Sequence, residues 1–427
     1  MTYQEPSPWK KTILAAMTSY IDAGSIVAGA AGLSLWQAYL GMDGFQMGAL
    51  AALSSNAGSA AVGALIGGRI CDKYGRKFVY TYDLLIYIIG MLLIVFGVNY
   101  PMLLCGYIIV GLGVGADIVA SWTLIAEEAP AKDRAKHCGS AQFAWALGPA
   151  VVLLISAWIN QYGLIGNRIV FAHLIVVAAW VWYQRLKMPE SKDWKAAKEA
   201  EEKLIAEGKV KPVSYSEILT GINLKTVLFL CDVYTIWNLC ASTWGFFMPY
   251  IYEHVGNLSN SMSQLMSVGS FVISFVGTFF IFMQLGDKIS RRLLYGVIGG
   301  IYVVAWFVWT LPPEMLAMWM LVMFTIFAGV NNGSGQQAFY QLWCSELFPT
   351  KYRATAQGLT FFITRILAAV WGFCVPIIMT TLGFRYAAMM LCGFAFISWL
   401  VGVIGAPKTE GKTLKQIEIE RYGHEVK

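Results

Sequence analysis

Apolar runs of about 20 residues follow one another along almost the whole chain, each long enough to cross a hydrocarbon core. The pattern predicts twelve helices, near 12–40, 44–69, 78–98, 101–126, 138–160, 167–187, 225–253, 261–286, 292–311, 315–345, 354–381 and 384–406. One stretch interrupts the series. PESKDWKAAKEAEEKLIAEGKVKPVSYSEILTG, 189–221, has an Ala/Glu/Lys-rich middle that reads as a solvated, surface-lying helix linking two bundles. Six spans precede it and six follow. The expected organisation is an N-terminal bundle over 1–187, a linker over 188–224, a C-terminal bundle over 225–406 and a tail over 407–427.

Composition agrees with the pattern. Residues are 57% hydrophobic and 13% charged, against roughly 25% charged in soluble domains. The net charge of +6 is carried by alternate loops: GRICDKYGRK, PAKDRAKH, 188–224, DKISRR, PTKYR and the tail, with Arg168 and Arg385 as exceptions. Positive loops stay inside, so the expectation is a multi-pass protein of the cell (inner) membrane with both termini and the long middle loop cytoplasmic. The charge needs no nucleic-acid partner. The polar start, MTYQEPSPWKK, leads straight into a full span, so no cleaved signal peptide is expected. Eight cysteines sit in or at the ends of spans without a CxxC pair and read as small apolar fillers. No metal, cofactor or catalytic residue is expected, since the paired-His, nucleotide-loop and nucleophile-elbow motifs are absent. His173 and His254 read as non-catalytic.

The two halves share punctuation. GRICDKYGRK after the second helix is echoed by LGDKISRR after the eighth. AEEAPAKDR after the fourth is echoed by SELFPTKYR after the tenth, both as E-x-x-P-x-x-x-R: Glu127, Pro130, Arg134 and Glu346, Pro349, Arg353. A separation of roughly 215–220 residues is far beyond solenoid periods, so this is a duplicated six-helix unit. Parallel repeats of that kind are a transporter architecture with the substrate site between the halves.

These residues resemble the major facilitator superfamily, and within it the sugar-porter branch and its bacterial relatives. The motif G-x-x-x-D-K-x-G-R-K at 68–77, the Glu127–Arg134 stretch, Pro189-Glu190-Ser191 and PKTEGKTL at 407–414 carry the likeness across essentially the whole chain. The resemblance implies an all-α membrane protein of twelve transmembrane helices in two pseudo-symmetric six-helix bundles. It also implies a cytoplasmic latch of the outward-facing state, built from Asp72, Arg76, Glu127 and Arg134 and, in the second half, Asp287, Arg291, Glu346 and Arg353. Carboxylate–guanidinium pairs and helix-end carboxylates are suited to such a latch.

Charges inside spans are expensive and default to function. Asp22, in SYIDAGSIVAGAAG, lies about 15 Å into the first helix at 1.5 Å per residue. It resembles the proton-binding Asp of proton-coupled sugar porters; substrate binding and a structural hydrogen bond are the alternatives. The family's helix 4 Arg near that Asp is Tyr107 here, so the partner of Asp22 must be another group. Asp117, about three turns further along helix 4, either shares a proton, binds substrate or is a capped structural acid. Arg365, deep in helix 11, resembles the Arg of organic-ion and aromatic-acid branches. It pairs with a substrate carboxylate or with an internal acid such as Asp22 or Asp117. Asp83 and Asp232 lie nearer helix ends and read as structural.

Candidate substrate contacts are Gln142 on helix 5, Trp237 and Asn238 on helix 7, and Asn332, Gln336, Gln337, Tyr340 and Gln341 from NNGSGQQAFYQLW on helix 10. Amides both donate and accept, and aromatic rings stack on sugar faces. Gln142 matches the sugar-binding Gln of sugar porters, whereas the helix 7 Gln is replaced by Ile236-Trp237 and the helix 10 Trp by Gln341. The reading is a monomeric secondary transporter importing a sugar, polyol or sugar acid by proton symport. The alternatives are an organic-anion:proton symporter using Arg365, a drug/proton antiporter, and a non-transporting sensor.

Overall fold

A computed structural model of the chain describes residues 6–53, 57–207 and 215–423. The first six spans are α1 (Pro8–Leu40), α2 (two pieces, Gly44–Ala52 and Gly58–Tyr74), α3 (Arg76–Val95), α4 (Tyr100–Glu128), α5 (Arg134–Ile159) and α6 (Gly163–Arg185). The second six are α7 (Gly221–His254), α8 (Asn260–Leu285), α9 (Arg291–Val308), α10 (Met318–Leu347, broken at Gly335), α11 (Arg353–Thr381) and α12 (Phe384–Gly405). A linker helix, Lys192–Ala206, and a tail helix, Leu414–Tyr422, lie outside the spans, and no strand occurs among the described residues.

Local chemistry sets the ends. Ser7 caps α1 by accepting from the Lys10 N–H, with Pro8 in the first turn, and Asn99 and Pro101 start α4 in the same way. Thr413 and Gln416 form a reciprocal capping box on the tail helix. Several helices outrun their apolar pattern: α2 extends to Tyr74 and α5 begins at Arg134. The extra turns hold Asp72 and Arg134, which bond to Thr355 and Glu346 of the other bundle.

Packing repeats between the halves. The pairs α1/α5, α2/α4, α3/α4 and α3/α6 recur as α7/α11, α8/α10, α9/α10 and α9/α12. The bundles meet along α2/α11 and α5/α8. At the first seam a Cβ on Gly68 would strike the Ala354 backbone, and one on Gly358 would strike the Ala64 carbonyl, so only glycine permits that approach. The outer faces are apolar, with Ile89, Leu154, Val176, Phe280 and Val297 exposed where lipid would lie. Two π-turns interrupt the second half, Asp232–Ile236 in α7 and Thr278–Phe282 in α8. The first sits immediately before Trp237 and Asn238 and re-aims them, as such turns often do at functional sites.

Candidate functional site

All eight latch candidates converge at the end of the molecule that carries the basic loops. Arg76 forks onto Glu127 through Nε (3.2 Å) and Nη2 (2.7 Å), and Glu127 also receives Arg353 of the other half at 2.8 Å. The mirror set does the same: Arg291 reaches Glu346 at 2.8 Å and Glu346 receives Arg134 at 3.0 Å. Asp72 accepts from the Thr355 N–H (2.7 Å) and the Ala354 N–H (3.3 Å) at the start of α11. Asp287 accepts from the Ala135 and Lys136 N–H groups at the start of α5, both at 2.9 Å. Each carboxylate therefore caps a helix of the opposite bundle, where free amides and the helix dipole favour negative charge. The linker and tail join in. Glu190 accepts from the Arg76 and Lys77 N–H groups and Ser191 donates to Glu127, while Glu410 accepts from the Arg291 N–H and Thr409 binds the Arg291 side chain. This end is shut. On the linker helix, burial and the nearby Glu127 charge push the Asp193 carboxyl above its ordinary range.

Above the latch further hydrogen bonds cross the bundles, among them Gln142 Nε2 to the Asn332 carbonyl (2.9 Å) and Thr123 to Gln357 (3.0 Å). A cavity of about 140 Å³ then opens between the halves, walled by Trp145, Tyr234, Trp237, Asn332, Gln337 and Arg365. It shares Asn238, Ser242 and Arg365 with a second cavity of about 340 Å³ that runs toward Phe247 and Phe373, away from the latch. The Trp237 ring is held by its N–H on Asn331 Oδ1 (2.7 Å), and Asn331 in turn donates to Gln336 (2.7 Å). Tyr234 stacks on Tyr340 at 4.0 Å and 7°.

Five of the nine substrate candidates thus line the cavity: Trp237, Asn238, Asn332, Gln337 and Arg365. The other four stand elsewhere. Gln336 and Tyr340 support the wall from behind, and Gln142 bridges the bundles. Gln341 lies in a narrow gap by Trp122 and Cys138, its amide buried with no hydrogen-bond partner among the described residues. Trp145 and Trp244 line the cavity but carry no sequence signal that separates them from packing residues.

Asp22 is 1% exposed, and its Oδ1 has no hydrogen-bond partner among the described residues. Its neighbour Ala23 is on the cavity wall, and the charges that act on Asp22 most strongly are Arg365 and Asp117. Tyr107 faces Gly29, nearly two turns further along α1, and so does not take the place of a cation beside Asp22. Asp117 is paired with a cation that sequence reasoning passed over: Arg185 Nη1 donates to its Oδ1 at 2.8 Å. In sequence Arg185 looks like an ordinary helix-end Arg, followed by Lys187. Its side chain turns back into the bundle and is 1% exposed.

The profile of the Major Facilitator Superfamily matches residues 12–373. The chain belongs to that superfamily. A relative in Bacillus subtilis (strain 168), named minor myo-inositol transporter IolF, is 51% identical over 415 residues, covering 97% of this chain and 94% of the relative. The cis,cis-muconate transport protein of Acinetobacter baylyi is 26% identical and covers 73% of each chain. The solved structure of the proton:xylose symporter XylE superposes with a TM-score of 0.80 at 18% identity, covering 97% of this chain and 98% of that one. As a member of the major facilitator superfamily the chain is a transporter and not an enzyme, and the expected twelve-helix fold holds.

Proposed function

We propose that this transporter imports a small neutral polyol, of the cyclitol or sugar class, by proton symport through alternating access. One observation carries the reading. The inter-bundle cavity presents aromatic faces (Trp145, Tyr234, Trp237) beside neutral amides (Asn238, Asn332, Gln337), the pairing that suits a ring with apolar faces and hydroxyl edges. The full-length likeness to a relative named for myo-inositol points the same way. The basic end is cytoplasmic by its loop charges. The closed latch and the cavity on its far side correspond to an outward-facing state in which solute enters from outside. Asp22, beside the cavity and short of hydrogen bonds, is the coupling carboxylate: protonated it is neutral and tolerated, ionised it favours the other access state.

A second reading is favoured by Arg365, which lines both cavities and places a guanidinium where a substrate carboxylate would bind. Uptake of labelled myo-inositol and of a dicarboxylate into proteoliposomes under an inward pH gradient separates the two. Wild-type protein should concentrate myo-inositol, and Asp22→Asn should lose uphill uptake while retaining exchange. Uphill uptake that survives in Asp22→Asn removes Asp22 from coupling. Concentration of the dicarboxylate alone overturns the polyol reading.

A further inference from the structure

Arg185 is the centre of a buried charge group that stands apart from the cavity. Its Nε and Nη2 donate to the Leu14 carbonyl at 3.1 and 2.8 Å, and Nη2 also donates to Thr18 at 2.6 Å, both on α1. Nη1 bonds Asp117 Oδ1 on α4 at 2.8 Å and stands 4.0 Å from Asp83 Oδ2 on α3. The guanidinium lies over the Tyr80 ring at 4.5 Å. Asp117 Oδ1 also accepts from Ser121, and Asp83 Oδ1 accepts from the Leu84 N–H. That leaves one oxygen on each acid. Asp83 Oδ2 and Asp117 Oδ2 are both buried with no hydrogen-bond partner among the described residues.

Two carboxylates share one guanidinium. The residues are 3% and 1% exposed. The charges that act on Asp83 are Asp117 and Arg185, and Asp22 on α1 repels Asp117. Tyr80 donates its hydroxyl proton to the Ala120 carbonyl and is therefore neutral, and Cys71 of α2 is the remaining titratable group that acts on it. With both acids ionised, the group carries an uncompensated negative charge where charge is most expensive, and it holds two acceptors with nothing to accept. One proton removes both defects. It neutralises one acid and turns its orphan oxygen into a donor for the other, the arrangement like charges adopt when they share a site.

We propose that Asp83 and Asp117, clamped by Arg185, hold one exchangeable proton between them at a second site separate from Asp22. The site lies on the basic-end side of the cavity. Asp83 is about 10 Å along α3 from Arg76 at 1.5 Å per residue, and neither acid lines the cavity. Its proton therefore exchanges with the cytoplasmic side. When that proton leaves, the second carboxylate draws the guanidinium away from the α1 carbonyls two turns from Asp22. Cytoplasmic pH thereby reaches the helix that carries the coupling acid. The assignment of this use rests on the transporter reading above; the proton itself does not.

The test is infrared difference spectroscopy of purified protein, following the carbonyl band of protonated carboxylic acids in an Asp22→Asn background. One such band should be present at neutral pH, disappear on adding Asp83→Asn, and fade as pH rises. The melting temperature of the Asp22→Asn protein should fall over the same rise, because the unfolded chain does not retain that proton. With Asp83→Asn added, the melting curve should be flat in that range, since an amide donates to Asp117 as the protonated acid does. A band unchanged by both Asp83→Asn and Asp117→Asn overturns the proposal. So does an Asp83→Asn protein that fails to fold at every pH, because a neutral donor should substitute. If wild-type vesicles carry no solute under a pH gradient while the band behaves as stated, the transport reading fails and the proton site stands.

Discussion

The latch at the basic end and the mid-membrane cavity are built by opposite rules. In the latch every landmark occurs twice: Arg76, Glu127 and Arg353 on one side, Arg291, Glu346 and Arg134 on the other, with Asp72 and Asp287 capping helices of the opposite bundle. Ion pairs cross the seam in both sets. The cavity is asymmetric and unfinished: Asp22 lies in the first half, Arg365 in the second, and the amides of Asn238, Asn332 and Gln337 come from the second half alone. A duplicated part can serve the motion both halves share. A part that occurs once, with hydrogen-bonding capacity left over, is where a particular solute and proton can be recognised.

Breaking the latch should have the largest effect. Glu127→Gln leaves Arg76 and Arg353 sharing a neutral amide in a buried site, a change that typically costs about 3–5 kcal/mol. Of the lost interactions the Arg353 pair is the one that crosses between the bundles; if it holds this end closed, uptake should fall more than about tenfold while solute affinity changes little; RT ln 10 is about 1.4 kcal/mol. Affinity lost with the maximal rate unchanged would place Glu127 in the pocket and erase the contrast.

The two regions also differ in how far sequence reveals them. The latch is legible because duplication repeats its punctuation, which names its members, although the pairing is crossed: the Arg of each E-x-x-P-x-x-x-R copy bonds the Glu of the other, Arg353 to Glu127 and Arg134 to Glu346. The cavity is legible only in part. Side-chain chemistry picks out Trp237 and Asn332, but the π-turn before Trp237 in α7 and the break at Gly335 in α10 interrupt the helical periodicity that would tell inward-facing neighbours from the rest. Gln336 and Tyr340 stand behind the wall while Gln337 lines it. The pairing of Asp117 with Arg185 was hidden more deeply, because a helix-end Arg reads as solvated until its stem is seen folding back along α1. Nothing in residue spacing reports that turn.

A smaller effect sharpens the contrast inside the cavity. Arg365→Gln keeps a polar group on the wall and removes its charge. For a neutral polyol, affinity should change by less than about tenfold, or under 1.4 kcal/mol. For an anionic solute the loss of a charge-assisted bidentate contact should exceed that. Binding isotherms for myo-inositol and for a dicarboxylate on the same variant read both. Loss of polyol binding with retained stability would make Arg365 a direct hydroxyl contact.

The smallest effect tests the symmetry itself. Asp72→Asn and Asp287→Asn each keep one acceptor oxygen for the opposing helix and lose the charge. Asp72 bonds two α11 amides and Arg76 (3.1 Å); Asp287 bonds two α5 amides and Arg291 (3.2 Å). Loss of a carboxylate at a helix N-terminus is worth about 0.3–1 kcal/mol, and up to about 2 where partly buried. Both variants should therefore slow uptake by a few-fold and lower the melting temperature slightly. The informative quantity is the difference between them. If the two caps do the same work, the variants match within about twofold in rate, and the double variant loses roughly the sum, as distant independent sites do. A large inequality would mean that one seam, α2/α11 or α5/α8, carries the closing step alone. The duplicated latch would then be symmetric in form and not in use.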